Sequence, residues 1–560
     1  MQNIFLEITI IICLAAALSV VFRFLKQPIL LAYILTGIII GHLGFFPGRN
    51  SDVLQALSDI GITFLLFLMG LEIKIKEFRL IGKAVFLVGA GQMIFTFLLG
   101  FLLSFLFGFD QITSFYITIA LVFSSTVIGI KLLSDKKDLN SLYGKIAVGI
   151  LLMQDFLEIA VLIFLSSAGK TDISPIAQFI WVGIKSIVLF GSVGYLSFNV
   201  FPKIVEKLSS SSEVLFLVSI AWLFGFSALL SSPMIGFPIS IGGFLAGLAL
   251  TNSIANYQII AKAKTLRDFF MILFFVVLGV NMSFVNISSI LIPAIVLSGF
   301  VLIVKPLIVM ICLGILGFRK RTSFMAGMVL AQISEFSLII IFLASKSFNL
   351  SDKAVSLVTL IGIITFIVSS YMVINNNKLY LKFANFLHIF EKENTHGEKI
   401  VSSSNSMDDL KDHIVIVGGD QMGQSILDSL DNSGNSVVVV DFDPSIVRKL
   451  GERTGVHRLF GDIGDLDIQQ KAKLDTASLV ISTVPDIEDN VLLLRELKHE
   501  NKKAKVIVMA FDKLEARILY KEGADYVVLP HLAGGRQLVK ILENDLENLS
   551  ELKAKDQRYL

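Results

Sequence analysis

The chain has 560 residues, of which 54% are hydrophobic and 17% charged, against about 25% charged in an average soluble protein, and a single soluble globule is thereby disfavoured. Its formal charge of +2 conceals a division, because residues before Asp412 sum to +8 and those from Asp412 onward to −6. Neither part has the basic surplus of a nucleic-acid binder, and Cys13 and Cys312, both in apolar runs, offer no disulfide framework or zinc spacing.

A hydrocarbon core about 30 Å thick takes about 20 apolar residues in a helix. Runs of that kind recur near 4–22, 28–46, 54–72, 84–107, 112–133, 145–168, 178–202, 213–230, 236–251, 268–286, 288–317, 324–345 and 354–375, which makes about thirteen spans. Met1 to Leu25 has no basic leading segment or small-residue cleavage site, so it reads as the first span rather than a signal peptide. Lys and Arg collect in alternate loops, eighteen against four. The positive-inside rule then puts the N-terminus outside the cell membrane and the polar C-terminal part in the cytoplasm.

A charge near a bilayer centre costs at least about 2.5–3.5 kcal/mol on insertion scales, so ionisable residues within spans are candidates for function. In chain order the first polar cluster is Ser124-Ser125-Thr126 in ALVFSSTVIGIKLL. Gln154-Asp155 follows in GILLMQDFLEIAVLIF, with Glu158 one turn on and on the same helix face, as a second ion ligand or a structural partner. Lys305 sits in FVLIVKPLIVM, and pairing it with Asp155 would satisfy both charges. Gln332-Ile333-Ser334-Glu335 closes the set in VLAQISEFSLII. Small polar clusters in mid-span suit broken helices whose freed carbonyls and half-helix ends meet an ion at the midplane, although Ser and Thr also simply pack between membrane helices. Thr126 precedes Asp155 by 29 residues and Lys305 precedes Gln332 by 27, a spacing that suggests two related halves.

Residues 1–376 thus form the membrane part, and 377–411, with the Ser-rich VSSSNS, read as a linker. From 412 to 530 short β-branched runs alternate with helical segments, at His413–Val417, Ser436–Val440, Leu479–Thr483, Lys505–Met509 and Tyr526–Leu529. That alternation predicts a parallel, doubly wound α/β Rossmann-like domain, followed by a helical tail over 531–560. HIVIVGGDQMGQSILDSL ends a strand and opens a helix, the context of a dinucleotide fingerprint. Gly418 and Gly423 fit its first and third glycines, and Asp441 follows the second strand at a distance suited to a ribose hydroxyl. Asp420 stands where the second glycine belongs, adding bulk and negative charge where a pyrophosphate would approach.

The segments ILLAYILTGIIIGHLGFFP, FLLFLMGLEIK, ALVFSSTVIGIKLL, ILLMQDF, GFPISIGGFLAGLAL, FFVVLGVNM and VLAQISEFSLII, in that order, resemble the cation:proton antiporter-2 family, and within it the Kef-type potassium:proton antiporters. The resemblance implies a thirteen-helix fold with inverted repeats, crossed broken helices and a homodimer. It implies that Asp155 binds the ion and the proton, that Gln154 is its neighbour, that Thr126, next to Ser125, belongs to one broken helix, and that Lys305 and the Gln332 to Glu335 segment match the second half of the ion-binding region. Gly461-Asp462, ISTVPDIEDN and EGADYVVLPHLAGG resemble the domains that regulate potassium conductance, implying a regulatory adenine nucleotide, AMP or NAD(H), with Asp441 on ribose and Asp462 near the base. No catalytic cofactor, resident metal or enzymatic activity is expected. The expected activity is potassium:proton exchange carried by one titrating Asp. The alternatives are sodium:proton exchange on the same fold and a regulated potassium channel, for which the chain has no TVGYG-like filter.

Overall fold

The computed structural model describes residues 4–42, 52–72, 83–167, 188–387 and 410–544, short gaps within these ranges aside. The chain forms two compact units. The first comprises Met1–Leu139, Tyr143–Leu313 and Ser323–His388, and the second Asn140–Leu142, Gly314–Thr322 and Ile389–Leu560.

Among the described residues the first unit is all helical. Twelve of the thirteen expected spans fall on described helices, and the seventh, near 178–202, is described from residue 188 onward, position 190 aside, and is helical there. Helices Lys83–Leu106, Ser212–Leu230 and Ile287–Gly299 leave Leu98, Leu217 and Ile292 more than half exposed, as lipid-facing helices do when satisfied backbone lets apolar side chains point outward. Inner helices approach through glycine: a Cβ on Gly37 would lie 2.0 Å from the Val276 carbonyl oxygen, and one on Gly279 2.2 Å from that of Ile34. Such small residues let backbones come together where lipid offers no hydrophobic drive.

The tenth span, expected at 268–286, instead starts at Asn256 and ends at Val280. Its first turns bury Ile259 and Ala263 and expose Lys262 and Lys264, an amphipathic start that average hydropathy passes over. The expected linker 377–411 likewise opens on a helix, Asn376–Phe383, whose Asn376 is buried and accepts a hydrogen bond from Lys136 Nζ at 2.7 Å.

The second unit is built on a parallel sheet of β1 (Ile414–Val417), β2 (Val437–Asp441), β3 (Val456–Phe460), β4 (Leu479–Ser482), β5 (Lys505–Met509) and β6 (Tyr526–Val528). Their order is β3-β2-β1-β4-β5-β6, with Val415 opposite Val438 on one side and Val480 on the other. Continuous IVIV and VVVV runs supply side chains to both covered faces, as parallel sheets require. Val415, Val438 and Val480 meet Leu493, Leu497 and Leu519 on one face, while Ile414, Ile416 and Val439 meet Leu427 and Leu450 on the other. β3 was not among the expected strands: it is an edge strand whose VHRLF sequence is only partly buried, so its apolar signal is diluted. The strand order reverses at β1 and β4, the crevice where such sheets bind ligands at their carboxyl ends. Helix Pro530–Asn544 follows β6.

Candidate ion and nucleotide sites

Two helices of the first unit are broken. Helix Gln111–Val122 stops at extended Phe123 and helix Thr126–Asp135 starts afresh, while helix Lys320–Val329 is separated from helix Glu335–Phe348 by Leu330–Ser334. Serine makes both restarts. Ser125 Oγ accepts the Ile128 N–H at 3.1 Å, and Ser334 Oγ accepts the Phe336 N–H at 3.0 Å, each satisfying an amide that a helix start leaves without a partner. Each hydroxyl also donates to a carboxylate across the unit: Ser125 to Glu335 Oε2 at 2.5 Å, and Ser334 to Glu158 Oε2 at 3.2 Å. The breaks lie against one another, for Ser124 Oγ donates to the Leu330 carbonyl at 3.1 Å and Gln332 Nε2 to the Ser125 carbonyl at 3.3 Å.

Asp155 and Gln154, adjacent on helix Leu142–Ser167, do different things. Gln154 is fully buried: its Oε1 accepts the Ser124 N–H at 2.9 Å, and its Nε2 donates to Gln92 Oε1 at 2.5 Å. Gln92 Nε2 in turn reaches the Val122 carbonyl at 3.2 Å. Asp155 is partly buried, and its Oδ1 accepts the Thr126 hydroxyl at 2.7 Å, placing the carboxylate at the first residue of helix Thr126–Asp135, where the helix dipole favours negative charge. A cavity of about 910 Å³ reaches this point, lined among others by Glu72, Thr126, Asp155, Arg267, Asp268 and Glu335. Sequence reading missed Gln92, Glu72 and Asp268. Glu72 and Asp268 sit at the ends of apolar runs among loop charges, and only the Gln92 amide, alone within an apolar helix, carried a usable signal.

Lys305 does not pair with Asp155. Its Nζ donates to the carbonyls of Phe123 at 2.9 Å, Gln332 at 3.0 Å and Leu121 at 3.2 Å, and the residue is fully buried. Three acceptors use three N–H donors, which is the full complement of an ammonium. Each break thus supplies one carbonyl dipole to the amine, where the sequence suggested the Asp155 carboxylate. Lys305 is delivered there by a π-helical stretch, Phe300–Val304, a wide turn of the kind found at functional positions, which also accommodates the missing amide of Pro306. Glu158 is fully buried beneath the breaks, and its Oε1 has no hydrogen-bond partner among the described residues.

At the carboxyl ends of β1, β2 and β3 the second unit gathers Gly418, Gly423, Asp441 and Asp462. Gly418 has φ +94°, a conformation that glycine adopts without penalty. A Cβ on Gly423 would lie 2.0 Å from the Gly418 oxygen, so only glycine allows the helix Gln421–Leu430 to pack there. Asp441 Oδ2 accepts the Gly419 N–H at 2.7 Å and Asp462 Oδ1 that of Gly464 at 2.8 Å. Both aspartates are largely buried, whereas Asp420 is exposed, and the bulk feared at that position is turned to solvent. Asp489, on helix Ile487–Glu500 after β4, joins Asp462 through Arg321, with Arg321 Nη2 3.0 Å from Asp489 Oδ1 and Nη1 3.5 Å from Asp462 Oδ2. Burial, then the charges of Asp462 and Asp486, hold the Asp489 carboxyl well above the usual carboxylate range, with Arg321 opposing.

Residues 9–374 match the family model described as sodium/hydrogen exchanger, transmembrane, and residues 414–530 match the TrkA-N domain. The chain is 26% identical over 541 residues to a protein of Escherichia coli (strain K12) named as the cation/proton antiporter YbaL, covering 95% of each. It is 26% identical over 514 residues to K(+) efflux antiporter 3, chloroplastic, of Arabidopsis thaliana, covering 85% of this chain and 63% of that one. A solved structure of the sodium proton antiporter MjNhaP1 from Methanocaldococcus jannaschii is similar with a TM-score of 0.46 and 16% identity, covering 68% of this chain and 97% of that one.

Proposed function

This chain belongs to the sodium/hydrogen exchanger family, a cation:proton antiporter carrying a TrkA-N domain, and from that premise we propose that it exchanges potassium for protons one for one. Transport resides in residues 1–376 and regulation in 412–530. The observation that carries this reading is the position of Asp155: a carboxylate on the wall of the cavity, at the start of a half-helix, held by the Thr126 hydroxyl.

Asp155 binds a proton or a dehydrated cation, never both, and the core reorients only when it is occupied, so the two fluxes are opposed. The Thr126 hydroxyl supplies a further oxygen to the cation. Glu335, on the same cavity wall, adds negative potential that concentrates cations. Gln154 is an amide engaged at both ends, coordinating the break without titrating, and it leaves Asp155 as the group that exchanges its proton. Glu158, set behind the cavity wall, is a structural acid. Ser125, Gln332 and Lys305 hold the crossing of the breaks. Sodium exchange on the same carboxylate is the second reading. The chain spans the cell membrane many times as a homodimer, with the N-terminus outside and the TrkA-N domain in the cytoplasm. The Arg23, Lys131 and Lys136 rim of the cavity then lies on the inner side.

An adenine nucleotide, AMP or NAD(H), regulates the exchange, with ribose at Asp441 and base near Asp462. The glycine turn at Gly418, the close packing at Gly423 and exposed Asp420 fit such a ligand. A nucleotide that binds two arrangements of its domain unequally shifts the transporter by that difference.

Purified protein in proteoliposomes, with K⁺ or Na⁺ added to dissipate a pH gradient, tests the core of this reading. Exchange with K⁺ in the wild type and its loss in Asp155→Asn are expected. Coupled exchange retained in Asp155→Asn would overturn it.

A further inference from the structure

The segment Gly314–Thr322 is part of the second unit, although in sequence it joins two helices of the first. It brings Arg321, 5% exposed, to the carboxyl ends of the sheet. Asp462 follows β3 and Asp489 follows β4, strands separated by β2 and β1. One guanidinium therefore ties the loop after β3 to the helix after β4, on the two sides of the crevice in which Gly418 and Asp441 lie. Its seat is shaped for it: a Cβ on Gly464 would fall 2.2 Å from Arg321 Nη1 and 2.7 Å from Asp489 Oδ1, so any side chain there would evict the arginine. Asp462 has one oxygen occupied by the Gly464 N–H and turns the other toward Arg321.

We propose that Arg321 is an internal competitor for the nucleotide site, seated on the carboxylate oxygens that the exocyclic amino group of an adenine base would use, so that the base and Arg321 exclude each other. The idea rests on the nucleotide reading above and adds to it how binding is signalled. Helix Lys305–Ile315 runs into the segment from one side, and helix Lys320–Val329 leaves it for the break at Leu330–Ser334. Lys305 and Gln332, which hold the crossing of the broken helices, are thus at the far ends of the two helices that this segment connects. Displacing Arg321 frees the one stretch of chain common to both.

The test uses full-length protein in detergent, hydrogen exchange of peptides covering 314–322, and calorimetric binding of AMP, IMP, ATP and NADH. AMP is expected to speed exchange in 314–322 severalfold in the wild type, IMP, which lacks the amino group, to leave it unchanged, and Arg321→Gln to bind AMP about tenfold more tightly, as removal of a competing state populated about 90% of the time requires. AMP that binds without altering 314–322, or that binds Arg321→Gln no more tightly than wild type, overturns the competition and leaves the nucleotide site standing. Failure of AMP, ATP and NADH to bind either protein overturns both.

Discussion

Gln154 Oε1 accepts the backbone N–H of Ser124 at 2.9 Å, across 30 residues of sequence, so the residue next to Asp155 is committed to holding the helix break. The amide spends its other end on Gln92.

Replacing that amide by an acid should therefore change stoichiometry as well as structure. Gln154→Glu keeps the acceptor for Ser124, loses the donor to Gln92 and adds a titratable group beside Asp155. Wild-type exchange is expected to ignore an imposed membrane potential. In the variant, one net charge moved per cycle is worth about 2.3 kcal/mol at 100 mV, so the steady-state cation gradient should follow voltage by a factor on the order of fifty. Current from proteoliposomes on a solid-supported membrane after a step in K⁺ decides it; a variant that moves no net charge would show that the added acid does not join the cycle.

Lys305 bound to carbonyls, rather than to Asp155, makes a prediction about additivity. Lys305→Met leaves the carbonyls of Leu121, Phe123 and Gln332 without this donor, and each unsatisfied buried partner costs about 1–3 kcal/mol. Groups that share no partner combine with an interaction energy within about 0.5 kcal/mol, whereas breaking a buried ion pair costs about 3–5 kcal/mol and is relieved when its second member is also removed. Thermal stability of Lys305→Met, Asp155→Asn and the double variant in detergent distinguishes these cases. Additive losses are expected, and a rescue in the double variant would restore the ion pair to the account.

Asp489 predicts a pH dependence of stability in the second unit. Two carboxyls and one guanidinium in a buried cluster leave an excess negative charge, and with Asp486 nearby the Asp489 carboxyl retains its proton well above the ordinary range. The folded chain then binds this proton more tightly than the unfolded chain. Stability is undiminished below the ordinary aspartate value and declines as pH rises from there through the raised folded value. Asp489→Asn, which keeps the Oδ1 acceptor and cannot ionise, should flatten that decline. Unfolding of the full-length protein followed from pH 4 to pH 8 reads the slope, and equal slopes in both proteins would count against a protonated Asp489.

Much of this was legible in the sequence because membrane burial makes polar residues conspicuous. Asp155, Glu158, Lys305 and Glu335 stand out where everything around them is apolar, and the serines that restart the helices betray themselves by clustering. Their partnerships were not legible. Lys305 bonds to backbone carbonyls, which leave no trace in a sequence, and a carboxylate was the natural partner to propose. Arg321 hides within Arg319-Lys320-Arg321, a run that reads as the basic loop expected at a cytoplasmic membrane face. β3 escaped because an edge strand need not be apolar on both faces, and His457 and Arg458 interrupt its pattern.

An ammonium with carbonyl oxygens on three sides has the surroundings that a dehydrated potassium ion would seek. The carbonyl cage at the crossing is already tenanted, by a cation tethered to its own helix and unable to travel. On the reading proposed above, a transported ion then finds its oxygens at the rim, on Asp155 and Thr126.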